Sequence, residues 1–264
     1  MATIDKTVII NLDSMKEEER SQWIIRLREL HIKVFKDADD FDDYLINSKA
    51  DESKVALFMD GDDLVGYCAA HRFMMKLKGK RIAVFRAEAG LLANYRGSNA
   101  TFSFGFKEAL SYKLFHPFQE SYYLGTFVHP SIYRLMTKYF PIVYPNYRYE
   151  TPPHMKQLML DLVELYKAPA ADSENPFIRK VGWITADSDE ERRRWQESDH
   201  ADARFFLTEN PGYGEGHGLV TLIPMDMANV TGVFLRWLSS KAGVTEGSMK
   251  NKNRETIESR PGVK

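Results

Sequence analysis

Arg81-Ile-Ala-Val-Phe-Arg-Ala-Glu-Ala-Gly-Leu-Leu-Ala-Asn-Tyr-Arg-Gly-Ser-Asn-Ala-Thr101, running on into Phe102–His116, is the stretch on which the fold turns. Its first half reads as a buried strand, because Ile82, Val84, Phe85 and Leu91 are β-favouring apolar residues. Gly90 inside that run predicts a bulge or a close approach of backbone to a neighbour. Asn94–Asn99 carries turn chemistry. Phe102, Phe106, Ala109, Leu110 and Leu114 then recur at helical spacing, with Ser98 or Asn99 placed to cap the helix.

Upstream, Thr7–Asn11 is a short β-type run. Asp13 or Ser14 can cap a helix whose stripe is Trp23, Ile24, Leu27, Leu30, His31, Val34 and Phe35. His31 on that stripe reads as a packed or half-exposed histidine. A second short helix is expected over about 39–47. The acidic cluster Asp37, Asp39, Asp40, Asp42 and Asp43 lacks the glycine and closing glutamate of a calcium loop, and reads as a solvated helix start. Val55–Met59, Asp60-Gly61-Asp62-Asp63 and Leu64–Met75 give a hairpin, and Lys76–Lys80 turns the chain into the strand at Arg81. Three antiparallel strands are therefore expected in sequence. Downstream, Tyr122–Val128 is a strand expected to lie parallel to Arg81–Leu92, because a helix separates them. Pro130 opens a helix that buries Ile132, Leu135, Met136, Tyr139 and Phe140.

Composition sets bounds on these expectations. The chain has 264 residues and a formal net charge of −1, a balance that argues against a dedicated nucleic-acid binder. One cysteine, Cys68, excludes an internal disulfide framework and a cysteine-based zinc site. Cys68 lies in an apolar strand and reads as a buried thiol. No apolar run reaches membrane-spanning length and no signal-peptide pattern opens the chain, so a cytoplasmic location is expected.

A strand, a loop of small residues and a helix start together make an anion site: first-turn amides lack intrahelical partners and the helix dipole favours negative charge. The phosphate loop of nucleotide triphosphatases is excluded, because no Gly-Lys-Ser/Thr stands at the helix start. Tyr95-Arg96-Gly97-Ser98-Asn99-Ala100-Thr101 resembles the acyl-CoA loop of the GCN5-related N-acetyltransferase superfamily, whose pattern is Gln/Arg-x-x-Gly-x-Gly/Ala. Arg96 matches the first position, while Asn99 and Thr101 stand where Gly and Gly/Ala are usual. Asn can adopt the left-handed backbone that Gly supplies; the Thr101 side chain would crowd the site. The order of elements over about residues 7–145 also resembles that superfamily.

The resemblance implies a mixed α/β fold with a mostly antiparallel sheet and helices on both faces. It implies transfer of an acyl group from a thioester, acyl-CoA or an acyl-carrier protein, directly to an amine on a small molecule or peptide. Gly90, Leu91 and Leu92 would align the pantetheine arm, and the amides of Arg96, Gly97, Ser98, Asn99, Ala100 and Thr101 would hold phosphate. The splayed ends at Gly90–Leu92 and Thr126–Val128 would form the acceptor opening. Glu88 is a candidate base with a raised pKa, or else a carboxylate paired with Arg86 or Arg72. Thr126, at the equivalent place on the next strand, cannot ionise. Tyr133 or Tyr139 would protonate the leaving thiolate, or pack. His129 is a polar candidate at the cleft mouth, or a helix cap beside Pro130. No metal is implied. The alternative function is a non-catalytic ligand-binding or interaction module on the same scaffold.

The chain is expected to divide into an acyltransferase-like domain over 1–167, an extension over 168–243 packed on it or completing its sheet, and a flexible tail over 244–264. Ahead of the extension we expect a helix with Met155, Leu158, Met159, Leu162 and Tyr166 on one face; within the extension, a strand over Lys180–Thr185 and a solvated charged helix over about Ser188–Asp199. A hairpin would join Ala203–Thr208 to Gly218–Pro224. Gly212, Gly214, Gly216 and Gly218 read as a long hairpin connection or as a lid bearing Tyr213, Glu215 and His217. The last helix, about Met227–Lys241, has Val230, Val233, Phe234 and Trp237 on one side and could mediate a homodimer.

Overall fold

The computed structural model describes residues 2–36, 41–164 and 168–241, with side chains described to residue 236. The chain opens with strand β1 (Lys6–Ile10), a turn at Leu12–Ser14 and helix α1 (Glu17–Val34), which runs into the two-residue strand β2 (Phe35–Lys36). Strands β3 (Glu52–Asp60), β4 (Asp63–Leu77) and β5 (Lys80–Leu91) form the expected antiparallel meander. Helix α2 (Ala100–Phe115), strand β6 (Ser121–Phe127), helix α3 (Pro130–Tyr139) and helix α4 (Pro153–Val163) follow. The C-terminal part supplies β7 (Ile178–Lys180), β8 (Ile184–Thr185), α5 (Asp189–Gln196), α6 (Ala201–Glu209), β9 (His217–Pro224) and α7 (Met227–Lys241).

Among the described residues seven strands form one sheet in the order β1-β3-β4-β5-β6-β9-β7, and β2 pairs with β8 in a separate two-stranded ladder. Every pairing in the large sheet is antiparallel except β5 with β6. The mixed, mostly antiparallel sheet is therefore as expected, and its parallel pair falls where a helix intervenes.

The two-residue period of β5 sends its side chains to opposite faces. Ile82 and Val84 join α1 residues Leu27, Leu30 and Val34 and α4 residues Met159 and Leu162 in one core. Ala83 and Phe85 join Phe102 of α2, Tyr133 and Met136 of α3, Phe206 of α6 and Val230 of α7 in another. Helices thus cover both faces, which keeps the apolar side chains of a two-sided sheet out of water.

Four local expectations are corrected. Asp13 and Ser14 belong to the turn before α1, and Lys16 holds its N-cap position without a side-chain cap. Ala203–Thr208 is helical, within α6, so no hairpin joins it to β9. The single strand expected over Lys180–Thr185 is two strands, β7 in the large sheet and β8 paired to β2. The glycine-rich stretch folds as a 3₁₀ turn over Pro211–Glu215 that buries Tyr213. Gly216 is required there: its φ is +82° and an added Cβ would lie 3.0 Å from Gly182 Cα. Asp37, Asp39, Asp40, Tyr166, the Trp237 side chain and the 244–264 tail lie outside the described residues. Asp42 pairs with Arg28.

His31 is packed, with 1% of its surface exposed, amid Phe35, Phe41 and Trp183. Its Nδ1 lies 2.6 Å from the Tyr67 hydroxyl. Burial lowers its pKa to about 4, so it is neutral at neutral pH. The unfolded chain takes this proton first as pH falls from about 6.5 towards 4, so stability declines through that window by on the order of 3 kcal/mol. Urea unfolding at both ends of the window should show this loss, and His31→Gln should flatten it. An equal slope in the variant would place the effect on other groups.

Candidate functional site

The site is built by two ladders that diverge. β5 and β6 pair only at Ala83–Ser121, Val84–Tyr122 and Phe85–Tyr123. Beyond these, β5 remains paired with β4 as far as Leu91, and β6 with β9 as far as Phe127. The Ala83 amide donates to Glu120 O at 2.9 Å, towards β6, so by the two-residue period the amides of Ala87 and Ala89 turn towards the gap. The result is a cleft of about 640 Å³ that passes between the two strand ends. Its lining runs from Phe102 and Phe106 on the α2 side to Phe35, Tyr44 and Trp183 on the α1 side.

Gly90 lines this cleft without a bulge, since β4–β5 register runs unbroken past it. A Cβ there would lie 3.1 Å from the Tyr67 ring and 3.2 Å from Val34, so close packing is the reason for glycine. After Leu91 the chain makes a 3₁₀ turn over Ala93–Tyr95, anchored by the Tyr95 hydroxyl donating to Asp60 Oδ2 at 2.6 Å. Gly97 and Asn99 follow with φ of +89° and +58°, and α2 starts at Ala100. Asn99 does adopt the left-handed backbone expected of it, which aims the start of α2 at the cleft. It makes no side-chain cap; the Ala100 amide instead faces Ser98 Oγ at 3.5 Å.

Of the residues singled out from the sequence, Glu88, Gly90, Leu91, Arg96, Gly97, Asn99, Thr101 and His129 line the cleft. Leu92, Ser98 and Ala100 belong to the same loop but are not among its lining residues. Tyr133 is not brought to it: the ring is fully buried and its hydroxyl donates to Pro145 O at 2.8 Å. Burial raises the Tyr133 phenol well above its ordinary value. Cys68 is a buried thiol, as expected, with its pKa also pushed up by burial.

Glu88 is 7% exposed and belongs to a buried cluster on the α1 side of the sheet. Its Oε1 accepts from Arg86 Nη2 at 2.5 Å, and its Oε2 lies 3.2 Å from His71 Nε2. Ser53 Oγ and Ser48 Oγ hold the other His71 nitrogen at 2.8 and 3.0 Å. Burial alone would raise the Glu88 carboxyl, but Arg86 and His71 outweigh it and hold the group below the ordinary carboxylate range. The expectation of a raised pKa is corrected: two adjacent basic side chains reverse the sign. Arg72, the other partner considered, pairs with Glu52.

A second cluster spans the cleft mouth. His129 Nδ1 lies 2.7 Å from Ser131 Oγ, and Nε2 lies 2.9 Å from Asp187 Oδ2. The Ser131 amide also donates to Nδ1, so the lone pair is there and the proton is on Nε2, facing Asp187. Asp187 Oδ1 accepts from Arg96 Nη1 at 2.9 Å, and Glu191 Oε2 lies 3.2 Å from the same nitrogen. Burial would raise the Asp187 carboxyl, but His129 and Arg96 hold it low. Asp187 thus ties the loop after β5 to the end of β6, from a segment that crosses between β8 and α5.

Sequence reasoning missed Asp187 and Trp183, and nothing in their local pattern marks them; they flank β8, whose pairing with β2 puts Trp183 in the cleft lining and Asp187 against two lining residues, Arg96 and His129. On residues that line the cleft, Thr126 Oγ1, Trp183 Nε1 and Trp195 Nε1 are buried with no hydrogen-bond partner among the described residues, and Glu88 Oε2 has only its ion pair with His71. Arg134, Lys138 and Arg194 add positive charge to the lining. Among the described residues no group of three or more His, Cys, Asp or Glu could hold a metal ion.

Fold and site together define a mixed α/β chain whose mostly antiparallel sheet splits at its one parallel pair. No family model and no curated protein matches the sequence. Among solved structures, one similarity is to a conserved protein of unknown function from Enterococcus faecalis V583, a probable N-acyltransferase, at 17% identity and TM-score 0.33 over 51% of this chain. The chain spans about a third of that protein's length, 32%. Another is to Arabidopsis thaliana NAA60 in complex with acetyl-CoA, at 17% identity and TM-score 0.33, over 50% of this chain and 86% of that one. At this level of likeness neither structure assigns an activity or a residue role to this chain. Among the described residues no helix is long and apolar enough to cross a membrane.

Proposed function

We propose that the chain is an acyltransferase that moves an acyl group from a thioester, acyl-CoA or an acylated carrier protein, directly to an amine in this cleft. The observation that carries the reading is the parting of β5 from β6 after Phe85 and Tyr123, beside a loop whose backbone opens a helix. Amides of Ala87 and Ala89 would take up the amide groups of the pantetheine arm as an added strand does. The loop amides from Arg96 to Thr101 and the start of α2 would meet phosphate. Arg134, Lys138 and Arg194 would supply the side-chain charge, because Arg96 is held by Asp187 and Glu191.

The acceptor would enter from the α1 side, past Tyr44 and Trp183. There Glu88, ionised by its neighbours, anchors an ammonium; a carboxylate held this low is a weak proton acceptor. His129, with a lone pair on Nδ1 and Asp187 behind Nε2, is the better base, with Ser131 as its contact to the cleft. The nitrogen then attacks the thioester carbon, the C–N bond forms and the C–S bond breaks. The proton taken from the amine is returned to the leaving thiolate.

The second reading, a non-catalytic binding module, is favoured by one observation: the Arg96 guanidinium is already satisfied within the chain. Calorimetric titration with acetyl-CoA, longer acyl-CoAs and an acylated carrier protein is expected to show micromolar binding of at least one, with turnover when amines are added. Binding without turnover across an amine panel would favour the module. Binding by none of the donors would remove the acyltransferase reading.

A further inference from the structure

The end of the sheet opposite the donor loop carries a surface that the cleft does not explain. Leu114, Phe115 and Phe118 are 61, 83 and 99% exposed, at the end of α2 and in the loop before β6. Residues 114–118 are all exposed without a break. Three large apolar side chains projecting from five residues is unusual, because each leaves most of its apolar area in water. The β4–β5 hairpin tip, Lys76-Leu-Lys-Gly-Lys-Arg81, stands beside this loop, and its four basic residues are exposed. Contact between the two is direct: Lys80 Nζ lies 2.9 Å from Glu120 Oε1, Gln119 Nε2 donates to Arg81 O, and Ala83 N donates to Glu120 O.

Lys78 sits at the tip with φ of +47°, followed by Gly79 at +83°. This turn geometry favours Asn-Gly, so a lysine there trades local fit for an outward charge. Against the four cations, Glu120 and Asp161 reach Lys80 and Lys78, which leaves the tip positive.

We infer that this end of the molecule is a docking surface for an anionic lipid bilayer. The Leu114, Phe115 and Phe118 side chains would enter the headgroup–acyl boundary, and the hairpin cations would face anionic headgroups. Charge decides among the alternatives. A symmetric contact with a second copy would bring one basic tip against another, which like charges oppose. A bilayer offers apolar depth under negative charge, which matches a projecting wedge flanked by lysines. This inference is independent of the acyl-transfer reading.

The test is co-sedimentation of the full chain with vesicles of phosphatidylcholine alone and of phosphatidylcholine with about 30% phosphatidylserine. Binding is expected only to the anionic vesicles, and should weaken as salt is raised. The pair F115S/F118S and the pair K76E/K78E should each reduce the partition coefficient by about tenfold or more. Both pairs change exposed side chains, so thermal unfolding should stay within a few degrees of the parent. Absence of binding to either vesicle, equal binding to both, or binding that neither pair alters would overturn the inference. Self-association in ultracentrifugation, or binding to single-stranded RNA, abolished by F115S/F118S while vesicle binding is not, would overturn it too.

Discussion

Replacing Asp187 with alanine is expected to lower folding stability by about 3 kcal/mol. The carboxylate side chain is 3% exposed and accepts from both Arg96 and His129, so its loss leaves the buried imidazole without its partner and the guanidinium with Glu191 as its remaining carboxylate. Asp187→Asn keeps the shape without the charge and should cost less. Urea unfolding of both variants measures this, and a double-mutant cycle with Arg96→Met should give a coupling of about 1 kcal/mol or more. A loss under about 1 kcal/mol in Asp187→Ala would show the bridge to be incidental. The pH dependence has a definite sign. The folded pKa of Asp187 is depressed, so its contribution is full above the ordinary carboxylate value of about 4 and disappears as pH drops through the lower folded value.

Glu88→Ala should cost more, about 3–5 kcal/mol, or a fall in Tm of roughly 10 °C. Arg86 is 4% exposed and would lose this carboxylate without gaining water. Glu88→Gln retains a hydrogen-bond acceptor and should fold well enough for kinetics. If Glu88 anchors the acceptor ammonium, Glu88→Gln raises acceptor KM about tenfold with little change in kcat. A drop in kcat at unchanged KM would assign the carboxylate to proton transfer instead. Tm by calorimetry and initial rates over acceptor concentration separate the two roles.

Part of this architecture was legible in the residue pattern. Alternating apolar residues and the Asp60–Asp63 turn announce the meander, because period and turn chemistry are local properties. A helix between Arg81–Leu91 and Tyr122–Val128 implies a parallel pair, and chain connectivity alone is enough for that inference. The left-handed backbone at Asn99 was open to the sequence because Asn tolerates it more readily than most side chains. Ala203–Thr208 was not, since short apolar runs look alike in helix and strand until packing against α3 and the 211–215 turn settles them.

The chain by itself determined the β3–β4–β5 meander, the helix–strand–helix that follows it, and that a turn of small residues opens α2. Periodicity, capping and turn preferences act over a few residues, so the one-dimensional record contains them. Only the tertiary structure decided where β5 leaves β6, that Arg96 is met by Asp187 from 91 residues downstream, and that Arg86 and His71 invert the titration expected of Glu88. Those outcomes depend on the distance between groups far apart in the chain, because electrostatic and packing energies are set by neighbours in space.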